Sequence, residues 1–290
     1  MKNILVLLSN PARPTLDSGI VQAAVEVLRS TGATVGTPDW LAPGIACDIP
    51  FDGEGMEMGM TGIDAVTVPA ANRRKKLLVA DMESTMIENE MLDELADFLG
   101  LREKIAGITA RAMNGEIDFE AALKARVELL KDLPVSTLDE AARRIVYMPG
   151  GATLVATMKQ HGAYCALVSG GFTYFTKMVR ARLGFDMDAA NTLTVTGTAL
   201  AGTVGMPILG KEAKLATLER LCNERGLTAA DAVTVGDGAN DLPMLQAAGL
   251  GVAFHAKPIV SAQVSARIRN GDLTALLYLQ GFRRSDFIER

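Results

Sequence analysis

Cysteine is scarce. Cys47, Cys165 and Cys222 are the three in a chain of 290 residues, and they lie far apart. No CxxC or Cys/His cluster offers a zinc site, and an odd, scattered set does not build a disulfide framework. The expected state is three reduced thiols. Long apolar runs are lacking too. Ile4–Leu8 is five residues long and ends at Ser9-Asn10-Pro11. That is far short of the ~20 residues needed to span a bilayer, and too short for the apolar core of a signal peptide. A cytoplasmic location is the expectation. Excess positive charge is also absent: the formal net charge is −5. The chain therefore has no general electrostatic reason to bind nucleic acid or an anionic membrane. A local basic pocket for a small phosphate is still compatible with that balance.

The composition is that of an ordinary globular protein, 49% apolar and 22% charged, long enough to bury a core without staples. No repeat or low-complexity tract is visible. Residues 1–72 differ in pattern from the rest. Ile4–Leu8 reads as a buried strand. A helix capped by Asp17 or Ser18 runs to about Arg29, with apolar positions at Ile20, Ala24, Val25 and Leu28. Strands over Ala33–Trp40 and Ala65–Val68 complete a small α+β module without a catalytic cluster. Asn72-Arg73-Arg74-Lys75-Lys76 reads as a solvated linker more readily than as a ligand patch.

From residue 73 onward strands alternate with helices. Strands are expected at Leu77–Ala80, Tyr164–Val168, Ala232–Val235 and Gly251–Phe254, and a helix over Lys211–Arg225. Glu88–Pro134 is almost continuously helical in pattern, with breaks near Gly100, Gly107, Asn114-Gly115 and Pro134, and another helix covers Leu138–Ile145. Such alternation implies an α/β fold, a Rossmann-like, doubly wound parallel sheet, here with a helical insertion over about 88–148.

Three strands end in polar residues: Asp81-Met82-Glu83-Ser84-Thr85, Ser169-Gly170-Gly171 and Gly236-Asp237-Gly238-Ala239-Asn240-Asp241. Ligands of open α/β sheets bind at the carboxyl ends of strands, so these segments are expected to converge. Asp81 alone reads equally as a helix cap, Ser169-Gly170-Gly171 as a turn and Lys214 as a solvated lysine. Together they provide what phosphoryl transfer needs. A carboxylate, Asp81, attacks phosphorus and forms an acyl phosphate. A hard cation such as Mg2+, held by Asp81 and Asp237, relieves the repulsion between carboxylate and phosphate. The Ser169 hydroxyl, the Gly170 N–H and the Lys214 ammonium meet the phosphoryl oxygens. Asp241 either caps the next helix or buttresses Asp237.

These residues, in this order, resemble the four motifs of the haloacid dehalogenase superfamily, and within it the phosphoserine phosphatase family. The likeness covers about Leu77 to Leu279. It implies a haloacid dehalogenase fold with a helical cap between the first two motifs, and a small molecule, O-phospho-L-serine, as substrate. The product would be L-serine, the last step of its biosynthesis, formed through phospho-Asp81. By the same resemblance Glu90 receives the substrate ammonium and Arg126 its carboxylate. Met113 and Phe119 close the lid, although both read as easily as ordinary cap core. Gly171 and Asn240 fall in the phosphate-binding motifs, and the main-chain carbonyl of Glu83 joins Asp81 and Asp237 at the metal. Residues 1–72 look, more weakly, like the small ACT-like regulatory domains that precede this enzyme. A homodimer is left open.

One position departs from the family. Where aspartate is usual as general acid and base, this chain has Glu83, one methylene longer. Glu83 is expected to serve with a side chain folded back toward the substrate. The rivals are a phosphatase or phosphotransferase for another small phosphorylated metabolite, and a phosphoserine-binding sensor weakened by that exchange.

Overall fold

The structure, a computed structural model, describes residues 1–54, 58–113, 116–210 and 212–290, the side chain of Met113 excepted. The first sheet uses β1 (Asn3–Ser9), β2 (Thr34–Val35), β3 (Asp39–Ala42), β4 (Ala46–Asp52) and β5 (Ile63–Pro69), with α1 (Ser18–Ser30) after β1. Its order is β2-β4-β1-β5, with β3 also on β4, and every pairing is antiparallel. The β1–α1–β2 unit is thus split by β4 lying between its strands. The strand expected over Ala33–Trp40 is two short strands, interrupted where Gly36 and Pro38 stand. β4 was not anticipated, because Asp48 and Pro50 interrupt its apolar pattern. The structure accommodates both. Pro50 needs no donor, and its carbonyl accepts from Gly36 N–H at 2.8 Å; Asp48 is ion-paired.

The second sheet is parallel throughout, in the order β13-β12-β11-β6-β7-β8. In chain order it comprises β6 (Leu77–Ala80), then α2 (Met91–Asp97), α3 (Arg102–Met113), α4 (Phe119–Glu128), α5 (Ser136–Ala142) and α6 (Gly151–Gln160). β7 (Tyr164–Phe172), α7 (Thr173–Leu183), β8 (Met187–Asn191) and a hairpin of β9 (Leu193–Thr196) and β10 (Ala199–Val204) follow. Then come α8 (Glu212–Glu224), β11 (Ala232–Gly236), α9 (Leu242–Ala247), β12 (Leu250–Phe254), α10 (Pro258–Ser261), β13 (Ala266–Ile268) and α11 (Ala275–Leu279). Strand residues alternate between two cores. Leu77 and Val79 face one that includes Leu218 and Leu221 of α8 and Met244 of α9. Leu78 and Ala80 face the other, with Leu154 and Val155 of α6 and Leu276 of α11. Both faces are covered, which is why these strands are apolar without polar alternation.

The stretch over Glu88–Pro134 holds three helices: the expected break near Gly100 separates α2 from α3, the one expected near Gly107 does not occur because α3 runs through it, and the one at Asn114-Gly115 lies outside the described residues. Among the described residues, no helix is long and apolar enough to cross a membrane.

The first sheet is fastened to the second. Ile4, Val6 and Leu8 on one face of β1 join the larger core, while Leu5 and Leu7 pack on α1. Within the basic run after β5, Arg74 and Lys76 are exposed as expected, but Arg73 is tied into the fold. Arg73 donates to both Asp48 carboxylate oxygens, at 2.5 and 3.2 Å, and to the carbonyls of Leu279 and Tyr278. Buried Asp64 accepts from the main-chain N–H groups of Arg269, Asn270 and Gly271 within 3.2 Å.

Candidate active site

The chain crosses β6, turns to β7 on one side, and returns to β11 on the other. β6 is therefore the switch point, where the carboxyl ends of strands leave a crevice. Asp81 follows β6, and its N–H bonds to Val235 O at 3.0 Å. Asp237 follows β11 directly. Ser169 sits within β7, which does not stop at Val168 as expected but runs on to Phe172 across an irregular register with β8.

Asp81, Asp237 and Asp241 are buried and offer carboxylate oxygens within 4.8 Å of one another. Lys214, 3% exposed, reaches from α8 to bond Asp81 Oδ1 at 2.8 Å and Asp241 Oδ1 at 2.5 Å. Asp241 makes no capping bond to α9. Its Oδ2 accepts from the N–H groups of Asp237 and Gly238, at 3.2 and 3.0 Å. Both oxygens are spoken for, so of the two roles expected it takes the buttress. Its approach explains Gly236, where a Cβ would lie 2.3 Å from the Asp241 carboxyl carbon. Asp81 Oδ1 also accepts from Met82 N–H at 2.7 Å, and among the described residues nothing bonds its Oδ2.

Burial, then the Asp241 charge, pushes Asp81 up to about 8 against the pull of Lys214. Burial also raises Asp237, partly offset by Lys257. Three carboxylates against one buried lysine, with only oxygen donors, form a set that fits a hard divalent cation. The open donors are on Asp81 and Asp237.

Glu83 is half-buried. Its Oε1 accepts from Met91 N–H, the first residue of α2, at 2.8 Å. Its Oε2 lies so close to Gly171 that a Cβ there would be 2.7 Å away. Burial, then the neighbouring Glu90 charge, pushes Glu83 up to about 8. The Glu83 carboxylate thus lies between the first N–H of α2 and Gly171 of β7. Ser84, next in the chain, is held in the left-handed region at φ 54°, and its hydroxyl donates to Glu90 Oε1 at 2.8 Å. Glu90 is exposed at the start of α2.

Ser169 Oγ accepts from Gly171 N–H at 2.9 Å, leaving its own proton free to donate. The ring of Phe119, at the start of α4, lies over Gly170, 3.5 Å from where a Cβ would stand. Phe119, Ser169, Gly170, Lys214 and Asn240 line one small cavity of about 10 Å³. Arg126, half-buried on α4, donates to Ala122 O and Thr109 Oγ1. Burial lowers its proton affinity, and the charges of Glu83, Asp93 and Glu90 raise it. Arg126 and Glu90 thus share the electrostatic surroundings of Glu83. The Met113 side chain lies outside the described residues.

Two supporting residues escaped the sequence reading. Buried Asn191 on β8 ties Gly170 O to the main chain of Leu209, with three bonds of 2.8 to 3.3 Å. No motif marks it. Lys257 stands 3.6 Å from Asp237 Oδ2. Its signal was available: it follows β12, a fourth strand ending on the same side.

The model of the haloacid dehalogenase-like hydrolases matches residues 78–246, from β6 to α9. The chain belongs to this family. It is 39% identical over 232 residues to the phosphoserine phosphatase of Streptomyces coelicolor, covering 79% of this chain but 57% of that relative. A HAD family hydrolase of Salmonella enterica serovar Typhi superposes with a TM-score of 0.83 at 27% identity, over 96% of this chain and 97% of that one. A phospho-aspartyl intermediate analogue of a phosphoserine phosphatase gives 0.66 at 39% identity, over 71% of this chain and 98% of that one. The family match thus lies within the second, parallel sheet, while the likeness to the Salmonella hydrolase extends over the first sheet as well.

Proposed function

We propose that this chain hydrolyses O-phospho-L-serine to L-serine and phosphate through a phosphoryl group carried on Asp81. The observation that carries the reading is the open Oδ2 of Asp81 beside Asp237, with Lys214 bridging Asp81 and Asp241. The domain division goes with it: residues 1–72 as an ACT-like module and 73–290 as the catalytic part, with a cap over about 88–148.

Asp81 attacks phosphorus in line with the serine oxygen. The Ser169 hydroxyl, the Gly170 N–H and Lys214 stabilise the phosphoryl oxygens. Glu83, whose proton affinity is raised by burial and by the neighbouring Glu90 charge, gives its proton to the departing serine oxygen. The resulting carboxylate then takes a proton from water, which cleaves the acyl phosphate and regenerates Asp81. Mg2+, held by Asp81, Asp237 and the Glu83 main-chain carbonyl, would neutralise charge between nucleophile and phosphate. Arg126 receives the substrate carboxylate bidentately, and Glu90 the ammonium. Phe119 excludes water from above Gly170. Asn240, Gly171 and, in the resemblance, Met113 complete the substrate enclosure.

The phosphoserine phosphatases among its relatives support this substrate, as does the pairing of one cation with one anion on the cap side. The test is phosphate release from phosphoserine, with and without Mg2+, by wild type and Asp81→Asn. Release only by wild type with Mg2+ is expected. Equal release by Asp81→Asn would overturn the reading. A screen with phosphothreonine, and with homoserine as phosphoryl acceptor, separates the rival substrates.

A further inference from the structure

Lys257 has no part in the mechanism above, yet its placement is built. Its N–H donates to the Asp237 carbonyl at 3.1 Å. His255, two residues earlier, is held at φ 44°, with its N–H on Ile268 O at 2.8 Å and ring Nε2 2.9 Å from Gly271 O. Pro258 follows as the first residue of α10. The main chain at Lys257 is therefore pinned to the loop that carries Asp237, while its side chain is 55% exposed beside the Asp237 carboxylate. The ammonium stands 3.6 Å from Asp237 Oδ2, an ion pair too long for a hydrogen bond.

Charge balance indicates what this lysine does. The carboxylates of Asp81, Asp237 and Asp241 face one buried ammonium, Lys214. A divalent cation would bring that set near neutrality, and a phosphate dianion would make it negative again. The balance lacks a cation on the Asp237 side, and Lys257 supplies one. The same charge opposes a metal ion at Asp237 and attracts a phosphate arriving there.

We propose that Lys257 is a positioning residue that trades cation affinity for phosphate affinity, setting KM and the metal requirement while leaving the chemical step alone. The inference rests on the phosphatase reading, but its test does not depend on which phosphate ester is hydrolysed. Lys257→Met and Lys257→Arg are compared with wild type. Calorimetric titration of metal-free protein with Mn2+, and of the metal-loaded protein with inorganic phosphate, reads the two affinities directly. For Lys257→Met, cation binding tightens about three- to fivefold and phosphate binding weakens about three- to fivefold, the range of a partly exposed charge pair. KM for phosphoserine rises in parallel, while kcat stays within about twofold. Lys257→Arg restores all three, and the differences shrink in high salt.

Cation and phosphate affinities equal to those of wild type would overturn the role of Lys257. So would a loss confined to kcat. A wild-type protein that binds Mn2+ and phosphate with the expected contrast but does not hydrolyse phosphoserine would instead sink the substrate assignment and leave this inference standing.

Discussion

The strand tips and the helices above them solve different problems. Asp81, Asp241, Lys214 and Ser169 are each at most 5% exposed and are locked by bonds to the main chain or to one another. Glu90, Phe119 and Arg126 stand on short helices, half-buried or exposed, and reach the site from one side. A reacting carboxylate must be held rigidly in a dry place, where electrostatic interactions are strong. Under the proposed function Glu90, Phe119 and Arg126 recognise substrate, and groups that must admit a substrate and let it leave belong on more exposed elements. Glu83 belongs to both regions: it extends from the β6 loop, yet one oxygen is held by the first N–H of α2.

Substitutions can break this contrast or sharpen it. The largest effect is expected for Asp81→Asn, a loss of about 10³-fold or more in turnover with the fold intact by circular dichroism. Glu83→Gln should lower turnover by about 10²-fold while phosphoserine still binds, read by steady-state kinetics and calorimetry. In wild type, the protonated acid is lost as pH rises through about 8, so the leaving-group step should slow above that pH. The Glu83→Gln variant should lack this limb.

Arg126→Met should raise KM for phosphoserine about thirtyfold, the lower end for removing one partner of a charged contact. A phosphate ester lacking a carboxylate should be hydrolysed as before. Equal losses on both esters would erase the division between chemistry and recognition.

Stability gives a smaller effect. The folded state raises Glu83 from its ordinary 4.5 to about 8. Its stabilising contribution is therefore full below about 4.5 and lost as pH rises through about 8. The Tm of metal-free wild type should fall over that window more than the Tm of Glu83→Gln. Asp64→Ala, at the seam between the sheets, should cost about 1–3 kcal/mol in denaturant unfolding, since it strands the N–H groups of residues 269–271. Its kcat should be unchanged.

The same contrast explains what could be read in advance. Strand tips carry their polar residues in short contiguous motifs, so the meeting of Asp81 with Asp237 was legible, as was the parallel sheet of apolar strands; Lys214, which reaches Asp81 from α8, could be read only in company with them. β4 was not, because Asp48 is tolerable there only through Arg73, a partner 25 residues away in the chain. Arg73 was misread for the same reason: a basic run looks solvated until its buried acceptors are known. β7 was ended too early, since Gly170-Gly171 signals a turn, whereas here glycine makes room for Glu83. Asn191 acts through bonds to main-chain atoms, which leave no signature in the sequence.

The most direct test is rapid acid quench of wild type turning over labelled phosphoserine with Mg2+, followed by peptide mapping. The account predicts a hydroxylamine-labile acyl phosphate on the peptide containing Asp81, absent without Mg2+. Label on the Ser169 peptide, or undiminished turnover with no label on Asp81, would contradict it.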